Sequence, residues 1–405
     1  MSRRAWALLW SVIGMGVLAR IVVAYSTYGQ PYDMQSAHIV RDALLDDPLH
    51  VYERVNLDVE GGLVRWPYAP AYFIWLWLAD ALPGVFHGTM QLLPIAADAL
   101  LALVVADFLG RRGAGAATRI AAAALIALGP SVAVVSGYHG HFDSVAILPA
   151  ALALWAWEGG VRPERRALLA GVLIGVGAAI KTVPALMVAA LIPRARGLRE
   201  ASLLAVPAAL IPLASLVPFY LADPGPVRSA LGYHGAPGVG GISLLTQPNL
   251  AGGWIGGQTV TPNAATDFFL ERGGLVGVAI GVGLLAFLLW TRPPATQGAV
   301  LVWLALYVFA PGFFLQYVVW GLPFFLMAGY LWRALAVQAL LLPPTVMVYS
   351  DNVDGEAAVV LYVVCMLALW LGFAVWLALL GARCVRYHRS AHSSTHPEGW
   401  REMAL

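Results

Sequence analysis

Residues 26–66 read STYGQPYDMQSAHIVRDALLDDPLHVYERVNLDVEGGLVRW, and this stretch organises the rest of the chain. It separates one apolar span from a sequence that is otherwise nearly all hydrophobic. Seven of the 22 acidic residues lie in it: Asp33, Asp42, Asp46, Asp47, Glu53, Asp58 and Glu60. Few other places in the chain suit a hydrated carboxylate. A protein that gathers its polar residues in one early loop binds something there, or does chemistry there.

Outside that stretch the composition fixes the class. The 405 residues are 60% hydrophobic and 11% charged, with a mean hydropathy of +0.75, whereas a soluble domain carries roughly 25% charged residues. Apolar runs near the ~20 residues needed to cross a bilayer recur along the chain. The runs are continuous rather than alternating, which excludes spanning strands. The class is an all-α polytopic membrane protein. Lys181 is the only lysine among 24 basic residues, the rest being arginine, a bias that a GC-rich genome produces. The net charge of +2 says little about partners. Cys365 and Cys384 suggest neither a disulfide framework nor a metal site.

Charge sets the topology. Ala5–Tyr25 is the first span, with Arg3 and Arg4 inside. The first external loop covers residues 26–89 and includes the aromatic, proline-bounded segment 68–82. If that segment crossed, Arg111 and Arg112 would lie outside, so it is placed in the interface. Gln91–Leu109 then runs inward and Thr118–Val135 outward to an external turn, Gly137–Asp143. Ser144–Trp157 returns to a basic loop. Ala167–Leu191 is broken at Lys181-Thr182-Val183-Pro184 and reads as a hairpin of short helices with Lys181 near its outer tip. Ser202–Tyr220 leads to a long external segment, residues 221–271. Spans near Gly273–Trp290, Gln297–Phe309, Gln316–Leu331, Ala334–Val348 and Ala357–Leu380 complete a bundle of about 12 transmembrane helices. Residues 1–383 form one domain and residues 384–405 a basic, disordered cytoplasmic tail. Arginine concentrates inside on this topology and acid outside, so a site belongs to the outer loops or the outer part of the bundle.

The candidate site residues follow from cost. Asp33 lies eight residues beyond the first span, close to the membrane surface, where a carboxylate can take a proton from a hydroxyl; it also stands where a helix cap would, before MQSAHIVRDALL. In Tyr138-His139-Gly140-His141-Phe142-Asp143, two histidines and an acid among aromatics suit hydrogen bonding to sugar hydroxyls or phosphate and stacking on a sugar, although interfacial His and Tyr are also ordinary anchors. The His-x-His-x-Asp spacing lacks a third fixed strong ligand, so no metal and no cofactor are expected. Lys181, in a costly apolar setting, suits a phosphate partner or snorkels to the interface. Arg20 has the same two readings. Gln316 and Tyr317 open a span at the outer surface. Arg228, His234 and GYHGAPGVGGIS (residues 232–243) suit a mobile lid. No GxGxxG follows a strand and no Walker motif occurs, so nucleotide binding is unsupported.

Together these pieces resemble the GT-C superfamily of integral-membrane glycosyltransferases, which use polyprenyl-phosphate sugars. The likeness covers most of the layout: a span, a large external loop with an early acid (Asp33), then Trp66-Pro67-Tyr68-Ala69-Pro70. Gly140-His141-Phe142-Asp143 looks like the HGHF or GQFD turn of related bacterial transferases and of the asparagine-linked-glycan glucosyltransferases. Gly171–Pro184 looks like their G-x3-G…K-x-x-P helix. Gln316-Tyr317-Val318-Val319-Trp320 with Pro323 looks like the QY-x2-W…P segment of GPI mannosyltransferase catalytic subunits and of actinobacterial mannosyltransferases. One departure stands out. GPI mannosyltransferases carry an Asp-x-Asp in this loop, where this chain has Asp46-Asp47 and Asp58-Val59-Glu60.

The resemblance implies an inverting transfer with Asp33 as base. Substrate contacts would come from His139, His141, Asp143, Lys181, Arg20, Gln316, Tyr317 and His234. The expected partners are a polyprenyl-phosphate sugar donor, a glycolipid or glycan acceptor and membrane lipids, with no nucleic acid. The expected activity is that of a mannosyltransferase on the external face of the cell membrane. A transporter or flippase of lipid-linked sugars, or a non-catalytic subunit of an envelope assembly complex, would use the same outer polar residues. Transporters show paired broken helices, and the sequence has one clear break, at Lys181.

Overall fold

The structure is a computed structural model of the chain. It describes all residues except 56–57, 60–61, 64–65, 161, 233–240, 243–244, 246–262, 311–312, 350–355 and 394–405. The described residues are almost entirely helical, the exception being a two-residue antiparallel hairpin that pairs Asp58 with Leu63 and Val59 with Gly62. Among the described residues, seven helices are long and apolar enough to cross a membrane, and four shorter apolar helices accompany them. This is a multi-pass membrane protein. The expected number of about 12 spans is not reached by the long helices alone. Several expected crossings are short or broken.

The residues divide into two compact units, one of Met1–Val188 with Arg196–Tyr233 and one of Ala189–Ala195 with His234–Leu405. The first unit begins with α1 (Arg3–Ser26), α2 (Pro31–Asp46) and α3 (Val51–Arg54). A 3-10 turn at Pro70–Tyr72 leads into α4 (Phe73–Ala81). Nine residues rise roughly 14 Å, about half of a hydrocarbon core. Next come α5 (Phe86–Met90), α6 (Leu92–Arg111), α7 (Ala116–Ala127) and α8 (Pro130–Val134). A π-helical turn over Val135–His139 continues α8, and Gly140 closes it in the left-handed conformation at φ 76°.

Beyond that turn lie α9 (Asp143–Trp157) and α10 (Pro163–Ile180). Lys181 is extended (φ −149°, ψ 133°) and ends α10, so the break expected at Lys181-Thr182-Val183-Pro184 is present. A 3-10 turn, Val183–Leu186, precedes α11 (Met187–Leu191). Next are α12 (Leu198–Ala222), interrupted by Pro207, Pro212 and Pro218, and α13 (Pro224–Leu231).

Two kinds of packing hold this unit. Helices α10 and α12 meet backbone to backbone. A Cβ on Gly171 would come within 2.4 Å of the Leu204 carbonyl oxygen, and one on Gly175 within 2.6 Å of that of Pro207. Lipid supplies no hydrophobic drive between helices, and small residues give the close approach that replaces it. At the α2 and α4 end, soluble-like packing takes over: Tyr52, Trp66, Tyr72, Phe73 and Phe142 are buried in one apolar cluster with Met34. Each such side chain contributes about 1.5–3 kcal/mol by leaving water. Both the cluster and the candidate site need the 137–143 turn where it is.

The second unit holds α14 (Ala264–Thr291), α15 (Ala295–Phe309), α16 (Val318–Met327), α17 (Leu331–Tyr349) and α18 (Glu356–Ser393). Helix α15 is buried on nearly every face, as expected of a helix that is hydrophobic all round. Its Tyr307 hydroxyl donates to the Tyr317 carbonyl at 2.7 Å and accepts from the Gly321 N–H at 2.6 Å. That pins the 3-10 turn Leu315–Tyr317, in which Gln316 sits. Helix α18 runs on to Ser393, so that ten residues of the expected tail, 384–393, are helical. Residues 384–393 contain neither Gly nor Pro, so nothing in them stops a helix.

Candidate active site

The site grows from the start of α2. Gln30 caps this helix, its side-chain oxygen accepting from the Asp33 N–H at 3.1 Å, and Pro31 takes the first helical position. Asp33 is therefore not the cap. It belongs to the first turn, where the helix dipole favours an anion. Gly29, left-handed at φ 86°, lets the chain close on the π turn: a Cβ there would lie 2.6 Å from the Tyr138 carbonyl oxygen. The Gln30 N–H donates to that same carbonyl at 3.2 Å.

This docking brings the Asp33 carboxylate onto the His139 imidazole, Oδ2 against Nε2. The two differ in access: the Asp33 side chain is 26% exposed and that of His139 only 2%. Burial acts to raise the pKa of Asp33. The charge and hydrogen bond of His139, with the charges of His141 and Lys181, outweigh it and hold Asp33 below the usual carboxylate value.

A second cluster adjoins the first through Gly140. Asp143 opens α9 and is fully buried; it pairs with the Lys181 ammonium. His141 Nδ1 lies 3.0 Å from the other Asp143 oxygen, and Nε2 lies 3.0 Å from the Tyr68 hydroxyl. Burial is the largest influence on His141 and lowers its pKa; Asp143 opposes this and Lys181 reinforces it. With a carboxylate facing Nδ1, a proton belongs on Nδ1. Aromatic rings wall the cluster: Phe142 stacks on Tyr72 at 4.0 Å and on Trp66 at 5.4 Å between centroids, and Lys181 Nζ lies 4.9 Å from the centre of the Tyr68 ring.

Asp33, His139, His141, Asp143 and Lys181 therefore come together in the structure. Arg20 does not join them. Its buried guanidinium is committed to Asp98, Ser136 and three backbone carbonyls. Gln316 and Tyr317 lie in the second unit, and His234 lies outside the described residues. Sequence reasoning missed Tyr68 as the partner of His141, and Asp98 altogether. A lone carboxylate in the apolar run LLPIAADALLALVV is itself a signal. Among the described residues, no three His, Cys, Asp or Glu side chains converge as a metal site.

In sequence the chain matches no protein-family model and no curated protein. In structure it is similar to ArnT from Cupriavidus metallidurans, solved bound to undecaprenyl phosphate. The TM-score is 0.54 at 16% identity, over 95% of this chain and 78% of that one. The chain has the GT-C fold. The acid that follows the first span, the Gly-His-Phe-Asp turn and the lysine at the helix break are one spatial cluster here, although 148 positions separate Asp33 from Lys181 in the sequence.

Proposed function

We propose that this protein is a polyprenyl-phosphate-dependent glycosyltransferase of the inverting kind. It moves a sugar, mannose by the QY-x2-W likeness, to a glycolipid or surface-glycan acceptor on the external face of the cell membrane. The GT-C fold supports the class. The observation that carries the chemistry is the Asp33–His139 contact, with Lys181 close enough to act on the same carboxylate.

Exposure separates the roles. An acceptor hydroxyl can reach Asp33 but not the buried His139, so Asp33 is the base and His139 orients it and keeps it ionised. The acceptor oxygen gives its proton to the Asp33 carboxylate and forms a bond to the anomeric carbon. The bond from that carbon to the phosphate oxygen breaks on the opposite face, and the lipid phosphate leaves with the electron pair. Lys181, held by Asp143, stabilises the charge that grows on that phosphate in a water-poor setting. Tyr68, only half-buried, offers its ring face to the sugar, while the buried His141 and Phe142 hold Tyr68 in place. Arg20 is left out of this set, because its guanidinium is committed elsewhere.

The test uses purified protein, radiolabelled polyprenyl-phosphate mannose and a membrane lipid extract, run beside Asp33→Asn. A labelled glycolipid from the wild type alone supports class and base together. Absence of product with mannose and glucose donors would overturn the transferase reading. Equal product from Asp33→Asn would remove Asp33 from the mechanism.

A further inference from the structure

The Arg20–Asp98–Ser136 cluster lies wholly inside the first unit and touches none of the groups given a chemical role above. Arg20 comes from α1, Asp98 from α6 and Ser136 from the π turn, and all three are buried. Arg20 Nε donates to Ser136 Oγ at 2.9 Å and lies 3.3 Å from Asp98 Oδ2; the Ser136 hydroxyl donates to that same oxygen. The rest of the guanidinium serves the break between α7 and α8. Pro130 has no N–H for the Ile126 carbonyl four residues back, and Arg20 donates to it at 3.0 Å instead. Another guanidinium N–H goes to the Ala127 carbonyl. Gly137 packs onto the same residue, since a Cβ there would lie 3.1 Å from Arg20 Cα.

Ser136 and His139 share one five-residue π turn. An extra residue in a turn rotates the downstream chain by about 100° relative to a regular α-helix. That rotation turns the Tyr138 carbonyl toward Gln30 and the His139 ring toward Asp33. Such single-turn π bulges cost helix geometry and concentrate at functional positions. A buried ion pair is often no more stabilising than apolar side chains of similar volume, and its best-attested use is conformational specificity.

We infer that Arg20, Asp98 and Ser136 are positioning residues, which clamp the π turn so that His139 meets the Asp33 carboxylate. They act through His139 and touch no substrate. Their effect on turnover rests on the transferase reading above, but their effect on the His139–Asp33 contact does not.

The experiment therefore reads both. Protein carrying 15N-histidine is studied by NMR, with the His139 signal assigned by its loss in His139→Gln and its dependence on the contact calibrated by Asp33→Asn. In Ser136→Ala, which leaves Arg20 and Asp98 paired, the His139 signal is expected to move in the direction set by Asp33→Asn. Transfer should fall roughly tenfold to a hundredfold in kcat, with the KM for the donor little changed, because a misplaced group costs turnover rather than binding. Ser136→Thr, which keeps the hydroxyl, should restore the signal. Asp98→Asn is the second variant should Ser136→Ala fold poorly, and it should move the signal the same way. An unmoved His139 signal in folded Ser136→Ala or Asp98→Asn overturns the inference. Absence of transfer in the wild type overturns the functional reading instead and leaves the NMR arm standing.

Discussion

The Asp33 carboxylate and the His139 imidazole meet across 106 positions of sequence, one at the start of a helix and the other at the end of a π turn. Two backbone features make the meeting possible: the left-handed Gly29 and the Gln30 N–H bonded to the Tyr138 carbonyl. A change to either backbone feature should act on both groups at once. Gly29→Ala puts a Cβ against the Tyr138 carbonyl oxygen and asks for a positive φ that alanine avoids. Transfer is expected to fall at least tenfold in this variant, while its far-UV spectrum stays helical.

The pH dependence of transfer follows from the depressed pKa of Asp33. A carboxylate whose folded value lies below its unfolded one is fully ionised above the unfolded value and loses its charge only as pH falls through the lowered one. The acid limb of the rate profile should therefore lie below the usual carboxylate range. His139→Gln removes the largest group that lowers it, leaving only His141 and Lys181 to oppose burial, which raises it. That limb is then expected to move to higher pH. A limb that stays in place would show that some other group titrates there.

Lys181 and Asp143 form a buried ion pair, and removing one partner strands the other. Lys181→Met should cost about 3–5 kcal/mol of stability, the usual penalty for an uncompensated buried charge. Adding Asp143→Asn to Lys181→Met should recover much of that loss, because both charges are then gone. Transfer should stay lost in the double variant, since the cation proposed to face the phosphate is absent. Thermal unfolding in detergent measures the first effect and the radiolabel assay the second. Recovery of both would make the pair structural only.

Much of the site was legible because polar residues are rare in this chain. Asp33, the His139–Asp143 turn and Lys181 stood out against long apolar runs, and cost alone singled them out. The GT-C fold was legible from the order of one span, an acidic loop and three short motifs. Other parts left no local trace. The π turn is one residue more than a regular turn, and SGYHG looks the same in either. Arg20 suits either a phosphate partner or a snorkelling anchor, because sequence cannot say which neighbour a buried guanidinium faces; in the structure that neighbour is Asp98, 78 positions on. The start of α2 was placed too late because Gln30, which caps it, is not among the favoured capping residues.

The α10–α12 contact offers a test of the packing itself. Gly171 faces main-chain oxygens of Leu203 and Leu204 at 2.8 and 2.4 Å from where a Cβ would stand, and neither can rotate away. Gly171→Ala must therefore separate the two helices, and overpacking of this kind costs about 1–3 kcal/mol. Gly277, in the middle of α14, has nothing within 4 Å of its would-be Cβ. There, alanine only improves helix propensity, by up to about 1 kcal/mol. The expected result is a lower melting temperature for Gly171→Ala and an equal or higher one for Gly277→Ala. Because Lys181 ends the same helix as Gly171, the first variant should also lose transfer activity and the second should keep it. Equal melting temperatures for Gly171→Ala and the wild type would mean that α10 and α12 do not meet through this glycine.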